Sequence, residues 1–266
     1  MDKEFEKLRK QWYSDDNVMF NIIDNLKYRE TTVIRKGLAH RCLKINAIRY
    51  FVANASRYHF FDEEFNLYAS LGMFPDLPMF SFGMQDKRKE MDEFNVSFTK
   101  YMTGYDFLMD IDNKDLRLAY STTYKIKKIF DDYKIKYYLL FSGNKGFHFR
   151  VDYTDFPLSL KKLKWSELAM KLKRFAESFR AINNFEDIDT TIFDLRRVSK
   201  TPYSLVYPNY LVALPLTDKQ FSNFSIKEVS LPYWIDRTDK LYKRGNLKRE
   251  GDTEAFGKLI DDYKED

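Results

Sequence analysis

Two short apolar runs, each ending in a cluster of polar groups, constrain this chain more than any other feature. The first, Tyr105-Asp106-Phe107-Leu108-Met109, passes directly into Asp110-Ile111-Asp112. The second, Lys136-Tyr137-Tyr138-Leu139-Leu140-Phe141, passes into Ser142-Gly143-Asn144-Lys145-Gly146 and resumes as Phe147-His148-Phe149-Arg150-Val151. Runs of this length and composition read as strands. Residues i and i+2 of a strand share a face, so the Asp110 and Asp112 carboxylates point the same way and leave a place for a divalent cation. The second run reads as a hairpin around a glycine-containing turn. Its tip offers the Ser142 hydroxyl, backbone N–H groups, the Lys145 ammonium and the His148 imidazole, all suited to phosphate oxygens.

Between the runs, Leu116, Ala119, Tyr120, Thr123, Ile126, Ile129, Phe130 and Tyr133 recur at three and four residues, predicting a long amphipathic helix. A right-handed crossover then sets the second run parallel to the first in one sheet and carries the hairpin toward the aspartates. Upstream, Phe5, Leu8 and Trp12, then Met19, Ile22, Ile23 and Leu26, predict two helices separated by Asp15-Asp16-Asn17. The β-branched residues of Tyr28 to Arg35 predict a strand, as does Leu67 to Leu71, and Ile45 to Ala55 reads as a helix. Asp86 to Glu93 is dense in both charge signs and reads as a solvated face or loop. Downstream, Trp165, Leu168, Ala169, Leu172, Phe175, Ala176, Phe179 and Ile182 form a clean helical stripe, with Lys161, Lys162, Lys164, Lys171, Lys173 and Arg174 around it as a basic cluster that either solubilises the surface, the default for surface lysines, or meets a template strand. Tyr210 to Leu214 reads as a final strand. These elements predict an α/β core, a mixed central sheet flanked by helices.

Hydrophobic residues make up 44% of the chain and aromatic ones 17%, enough to bury a substantial core and too many for a disordered chain. The formal charge of +5 permits a polyanion partner without demanding one. Cys42 is the only cysteine, which excludes an intrachain disulfide and a Cys-rich zinc site; His40, Cys42 and His59 match no zinc spacing. No run approaches the roughly 18 apolar residues of a membrane span, and the N-terminus has no signal region. A soluble, cytoplasmic protein is the expectation.

The acidic strand and the glycine hairpin together resemble the "DxD" and "SGxxGxH" motifs of the archaeo-eukaryotic primase superfamily, in particular the catalytic small subunit of DNA primase. The resemblance continues at Asp194-Leu195-Arg196-Arg197-Val198-Ser199-Lys200-Thr201-Pro202-Tyr203-Ser204-Leu205, where an acid, a basic residue six positions on and a "P-x-S-[LV]" segment fall in step. Gly104-Tyr105-Asp106, Asn66-Leu67-Tyr68-Ala69-Ser70 and Arg29-Glu30 also look like family landmarks. The match spans roughly Tyr28 to Leu216. It implies a catalytic domain over residues 1–216 and a charged extension over 217–266, helical, partner-docking or partly disordered.

The resemblance also implies a chemistry: template-directed transfer of nucleotides onto a 3′-hydroxyl, with two Mg²⁺ or Mn²⁺ ions held by Asp110, Asp112 and Asp194. It selects Asp194, with Asp189 as the nearest rival. Arg29, Ser142, Lys145, His148, Arg197, Lys200 and Ser204 are the implied nucleotide contacts; Arg29 reads equally as a surface ion pair, and His148 also as a hydrogen-bonded core histidine. The implied partners are single-stranded DNA, nucleoside triphosphates and a large primase subunit or replicative helicase. Two departures mark a divergent member. Val206 stands where the family usually has a histidine, and the ligands of the family's zinc element are missing, so no structural zinc is expected. Primase and gap-filling repair polymerase share these motifs. Glycosyltransferases also use a DxD strand but do not need the hairpin, and a binding module with a dead site would be expected to lose its carboxylates.

Overall fold

The structure, a computed structural model, describes residues 3–35, 38–43, 65–75, 97–242 and 249–264. The helix expected over 45–55, the charged segment 86–93, His59 and the side chains of His40 and Cys42 lie outside the described residues.

Helices α1 (Lys3–Ser14) and α2 (Asp16–Leu26) open the chain, and Asp15 separates them as a cap whose carboxylate accepts from the Asn17 and Val18 N–H groups. Strands β1 (Arg29–Arg35), β2 (Leu38–Leu43), β3 (Phe65–Met73), β4 (Gly104–Tyr105) and β5 (Phe107–Asp112) follow, then α3 (Leu116–Asp132), β6 (Tyr138–Phe141) and β7 (Gly146–Val151). Helix α4 (Trp165–Asn183) leads to β8 (Ile188–Asp189), β9 (Val198–Lys200), β10 (Leu205–Val206), β11 (Leu211–Val212) and β12 (Leu214–Leu216). Near the end lies α5 (Thr253–Asp262).

Two sheets carry the molecule. The first has the order β2-β1-β3-β4 with β9 also paired to β3; the second has the order β12-β6-β7-β5-β8. Neighbouring named strands pair antiparallel in both. Because β7 lies between them, β5 and β6 still run parallel, the direction expected of the crossover. The short tail of the expected final strand splits: Leu211–Val212 pairs with β10, and Leu214–Leu216 joins β6.

The period-two pattern of β5 and β7 decides what faces where. Phe107, Met109 and Ile111 register with Val151, Phe149 and Phe147 on one face. That face is covered by helices, with Phe130 of α3 at 5.0 Å from Phe149 and Phe175 of α4 at 5.6 Å from Phe107, measured between ring centroids. The opposite face carries Leu108, Asp110 and Asp112 in register with Arg150, His148 and Gly146. Polar groups thus collect on the face that the helices leave uncovered.

Described residues after Leu216 contribute to the core. Phe221, Val229, Leu231, Trp234, Phe256, Leu259 and Ile260 are all buried in the same core, and the Phe256 ring lies 5.1 Å from that of Phe107 on the acidic strand. Sparse apolar residues in a charged tail can each be an anchor when the receiving surface is elsewhere in sequence. Among the described residues, no helix is long and apolar enough to cross a membrane.

Candidate active site

A cleft lies between the two sheets, lined by Tyr68, Leu108, Asp110, Asp112, Ser142, Asn144, His148, Arg197, Val198, Ser199 and Lys200. Its acidic wall is built on β5 and β7. Asp110 and His148 are cross-strand partners, with Nε2 of the imidazole 3.3 Å from Asp110 Oδ1. Lys145 reaches back from the hairpin to within 3.3 Å of Asp112 Oδ2. The turn is closed by the Ser142 N–H donating to the Gly146 carbonyl at 3.0 Å. Gly143 adopts φ +83°, and a Cβ there would stand 2.3 Å from Val206 Cγ2. Val206, in the place of the family's histidine, is therefore buried packing against the hairpin.

Charge is unevenly held along this wall. Burial opposes ionisation of Asp110, but His148, Arg197 and Lys145 outweigh it and hold the carboxyl below the usual carboxylate range. At Asp112, burial and then the Asp110 charge push the carboxyl up, with Lys145 only partly offsetting them.

The basic wall is built on β3 and β9, where Tyr68 and Lys200 are directly opposed. The Lys200 ammonium donates to the Tyr68 hydroxyl at 2.7 Å and to Asn66 Oδ1 at 3.1 Å. Burial lowers its pKa to about 8, and the Asp112 charge recovers only part of the shift. Arg197 stands between the walls: its backbone carbonyl accepts from the Leu71 N–H of β3, and its guanidinium lies 3.9 Å from Asp189 Oδ2.

Asp189 and Asp194 occupy different settings. Asp189, on β8, is in register with Asp110, so the acid row across the sheet runs Asp189, Asp110, His148; directly opposed residues of an antiparallel pair share a face. Asp194 closes the turn after it: its carboxylate accepts from the Arg196 N–H at 2.8 Å and its carbonyl from the Arg197 N–H. Neither Asp194 nor Asp189 is among the residues lining the cleft. The Asp189 carboxylate accepts from the Thr191 N–H and hydroxyl.

Two further expected contacts are committed elsewhere. Arg29 is buried, bonded to Asp106 and to the Ser70 and Leu71 carbonyls, so its ion pair is a buried one and not the surface pair that the sequence offered as one reading. The Ser204 hydroxyl is buried and donates to the Thr201 carbonyl at 2.6 Å, a turn bond away from the cleft lining. Tyr68 was visible in sequence only as part of a landmark segment, and Asn144 only as a turn residue.

The acidic wall fits a hard cation. Asp110 Oδ1 is buried without a partner in hydrogen-bonding geometry, and its charge opposes that of Asp112 beside it. A divalent ion with oxygen ligands relieves both conditions. Among the described residues no group of three or more His, Cys, Asp or Glu is assembled for a metal ion; the two acids lining the cleft, Asp110 and Asp112, are those that would receive one.

No protein-family model and no curated protein matches the chain. Solved structures do match. The polymerase domain of Mycobacterium tuberculosis ligase D, solved in complex with DNA, is 12% identical and superposes with a TM-score of 0.58 over 97% of this chain and 93% of that one. The AEP domain of the cyanophage S-2L primase-polymerase is 14% identical with a TM-score of 0.40, over 72% of this chain and 82% of that one. The chain shares the fold of the ligase polymerase domain across nearly its whole length.

Proposed function

We propose that this protein is a metal-dependent nucleotidyltransferase that copies single-stranded DNA, with primer synthesis from nucleoside triphosphates as its activity. The observation that carries this reading is the facing of a carboxylate pair, Asp110 and Asp112, by the cations of Arg197 and Lys200 across a cleft closed by the glycine hairpin. Carboxylates on one wall and cations on the other suit a triphosphate that must be gripped and polarised together.

Asp110 and Asp112 would hold Mg²⁺ or Mn²⁺, which when bound stabilises charge on the attacking and leaving oxygens. Asp194, selected by the motif, and Asp189, which registers with Asp110, are the two candidates for a third acid that would approach the pair when a metal is bound. Lys200, Arg197 and Lys145 neutralise the triphosphate and hold it in line, with the Ser142 hydroxyl and His148 imidazole as further donors. The nucleophile is the 3′-hydroxyl of the growing strand, so no protein nucleophile is required.

The likeness to the ligase polymerase domain favours a second reading, gap filling at a DNA end. Single-stranded template, Mn²⁺ or Mg²⁺ and labelled nucleotides, with and without a primer, separate the two. Product without a primer supports the primase; extension of a primer or a gapped duplex alone supports the repair polymerase; incorporation in neither assay removes the nucleotidyltransferase.

Lys200 gives the site a pH signature. Its ammonium is lost as pH rises through about 8, whereas a bound triphosphate favours the charged form. Nucleotide affinity should therefore fall above pH 8 by up to about tenfold per pH unit. Lys200→Arg, charged at any working pH, should flatten that limb. Equilibrium titration of nucleotide from pH 7 to 9.5 reads both; an equal slope in the arginine variant would take Lys200 out of the phosphate site.

A further inference from the structure

We propose that Asp106 is a positioning residue that sets the separation of the two cleft walls, through one buried carboxylate gripped by an arginine from each sheet. The inference rests on the nucleotide reading of the cleft. Asp106 lies where the chain leaves β4 of the first sheet and enters β5 of the second. Its backbone N–H donates to the Leu71 carbonyl of β3 at 3.1 Å, so the residue is pinned to the first sheet before its side chain makes any contact.

The carboxylate is fully buried. Its Oδ2 accepts from Arg29 Nη2 at 2.6 Å and from Arg150 Nε at 2.7 Å, and its Oδ1 accepts from the Tyr153 N–H at 2.9 Å. Arg29 belongs to β1 of the first sheet, and its Nη1 also holds the Leu71 carbonyl at 2.7 Å. Arg150 belongs to β7, two residues from His148 and on the same cleft-facing side. The ion cluster thus stands behind the row of Asp110 and His148 and joins the sheet that bears them to the sheet that bears Tyr68 and Lys200. Planar guanidinium forks tolerate little change in distance or angle, and burial leaves no water to replace a broken bond. The gap between the walls is accordingly fixed from the back.

This predicts a split between two ligands. A divalent cation needs the acidic wall alone, whereas a metal–nucleotide complex needs both walls at their proper spacing. Arg29→Lys keeps the charge but loses the fork. Mn²⁺ affinity and Mn²⁺–nucleoside triphosphate affinity are measured on the folded variant, with circular dichroism confirming the fold. The expected result is Mn²⁺ affinity within about twofold of the parent and nucleotide affinity reduced by about tenfold or more. Arg150→Lys, tested in the same way, should show the same split. Equal losses of both affinities, no loss of either, or failure of both variants to fold would each reduce the cluster to a structural role and overturn the proposal. An unmodified protein that binds neither Mn²⁺ nor nucleotide would remove the nucleotidyl-transfer reading itself, whereas normal binding in the parent with unaffected variants removes only the positioning role.

Discussion

Asp110→Asn is expected to lower nucleotide incorporation by about 10²–10³-fold, the scale on which removal of one preorganised charge-stabilising group acts, while leaving the protein folded. Asp110 is held ionised by His148, Arg197 and Lys145 against its own burial, and its Oδ1 has no partner in hydrogen-bonding geometry. An amide at this position keeps the shape and removes the charge that would hold a cation. Stability changes in two opposing ways. The depressed pKa of Asp110 means that its ionisation contributes stability above the unfolded-state value, lost as pH falls, and the variant gives this up. The same change removes the repulsion that raises the pKa of Asp112. Thermal unfolding and single-turnover incorporation measured on the same preparation test the pair of expectations. A folded variant with parental incorporation would exclude Asp110 from the metal site, and a variant that fails to fold would show that its role is structural.

Gly146→Ala is expected to destabilise the protein by about 3 kcal/mol, the upper end of what overpacking a tight contact costs, and to reduce activity in the fraction that folds. A Cβ built on Gly146 stands 1.8 Å from the Ile111 carbonyl oxygen and 2.5 Å from Asp112 Oδ1. Neither neighbour is the tip of a long side chain that can swing away. Relief requires β5 and β7 to separate at the point where Asp112 registers with Gly146 and meets the Lys145 ammonium. The destabilisation should appear in urea unfolding as a lower midpoint with an unchanged slope, since the variant exposes nearly the same surface on unfolding as the parent. A midpoint equal to that of the parent would mean that the strands yield at no cost, and that the close approach does not govern the site.

The alternation of Phe107, Met109 and Ile111 with Leu108, Asp110 and Asp112 was enough to give the strand and to put both acids on one face. The Ser142 to Gly146 turn, the stripes of α3 and α4 and the Asp15 cap were equally legible, because each depends on neighbours within a few residues. The choice between Asp189 and Asp194 was not. Strand β8 is Ile188–Asp189 alone, too short to show a period, and the two acids lie close enough in sequence for either to fit a motif. Register with β5 sets Asp189 beside Asp110, and register is a property of a pairing that spans some eighty residues of chain.

Arg29 shows the same limit from the other side. Its neighbours in sequence suggest an exposed pair or a phosphate contact, whereas its partner is Asp106, 77 residues away, which Arg150 shares. Local periodicity and turn chemistry, written into the order of the residues, determined the strands, the helices and the facing of the acid pair. Only the packing of two sheets decided which distant charges meet, which acid stands in register with Asp110 and which polar side chains are buried as partners. The reason is physical: backbone geometry acts over a few residues, but burial forces every charge it encloses to find a partner wherever the fold has brought one.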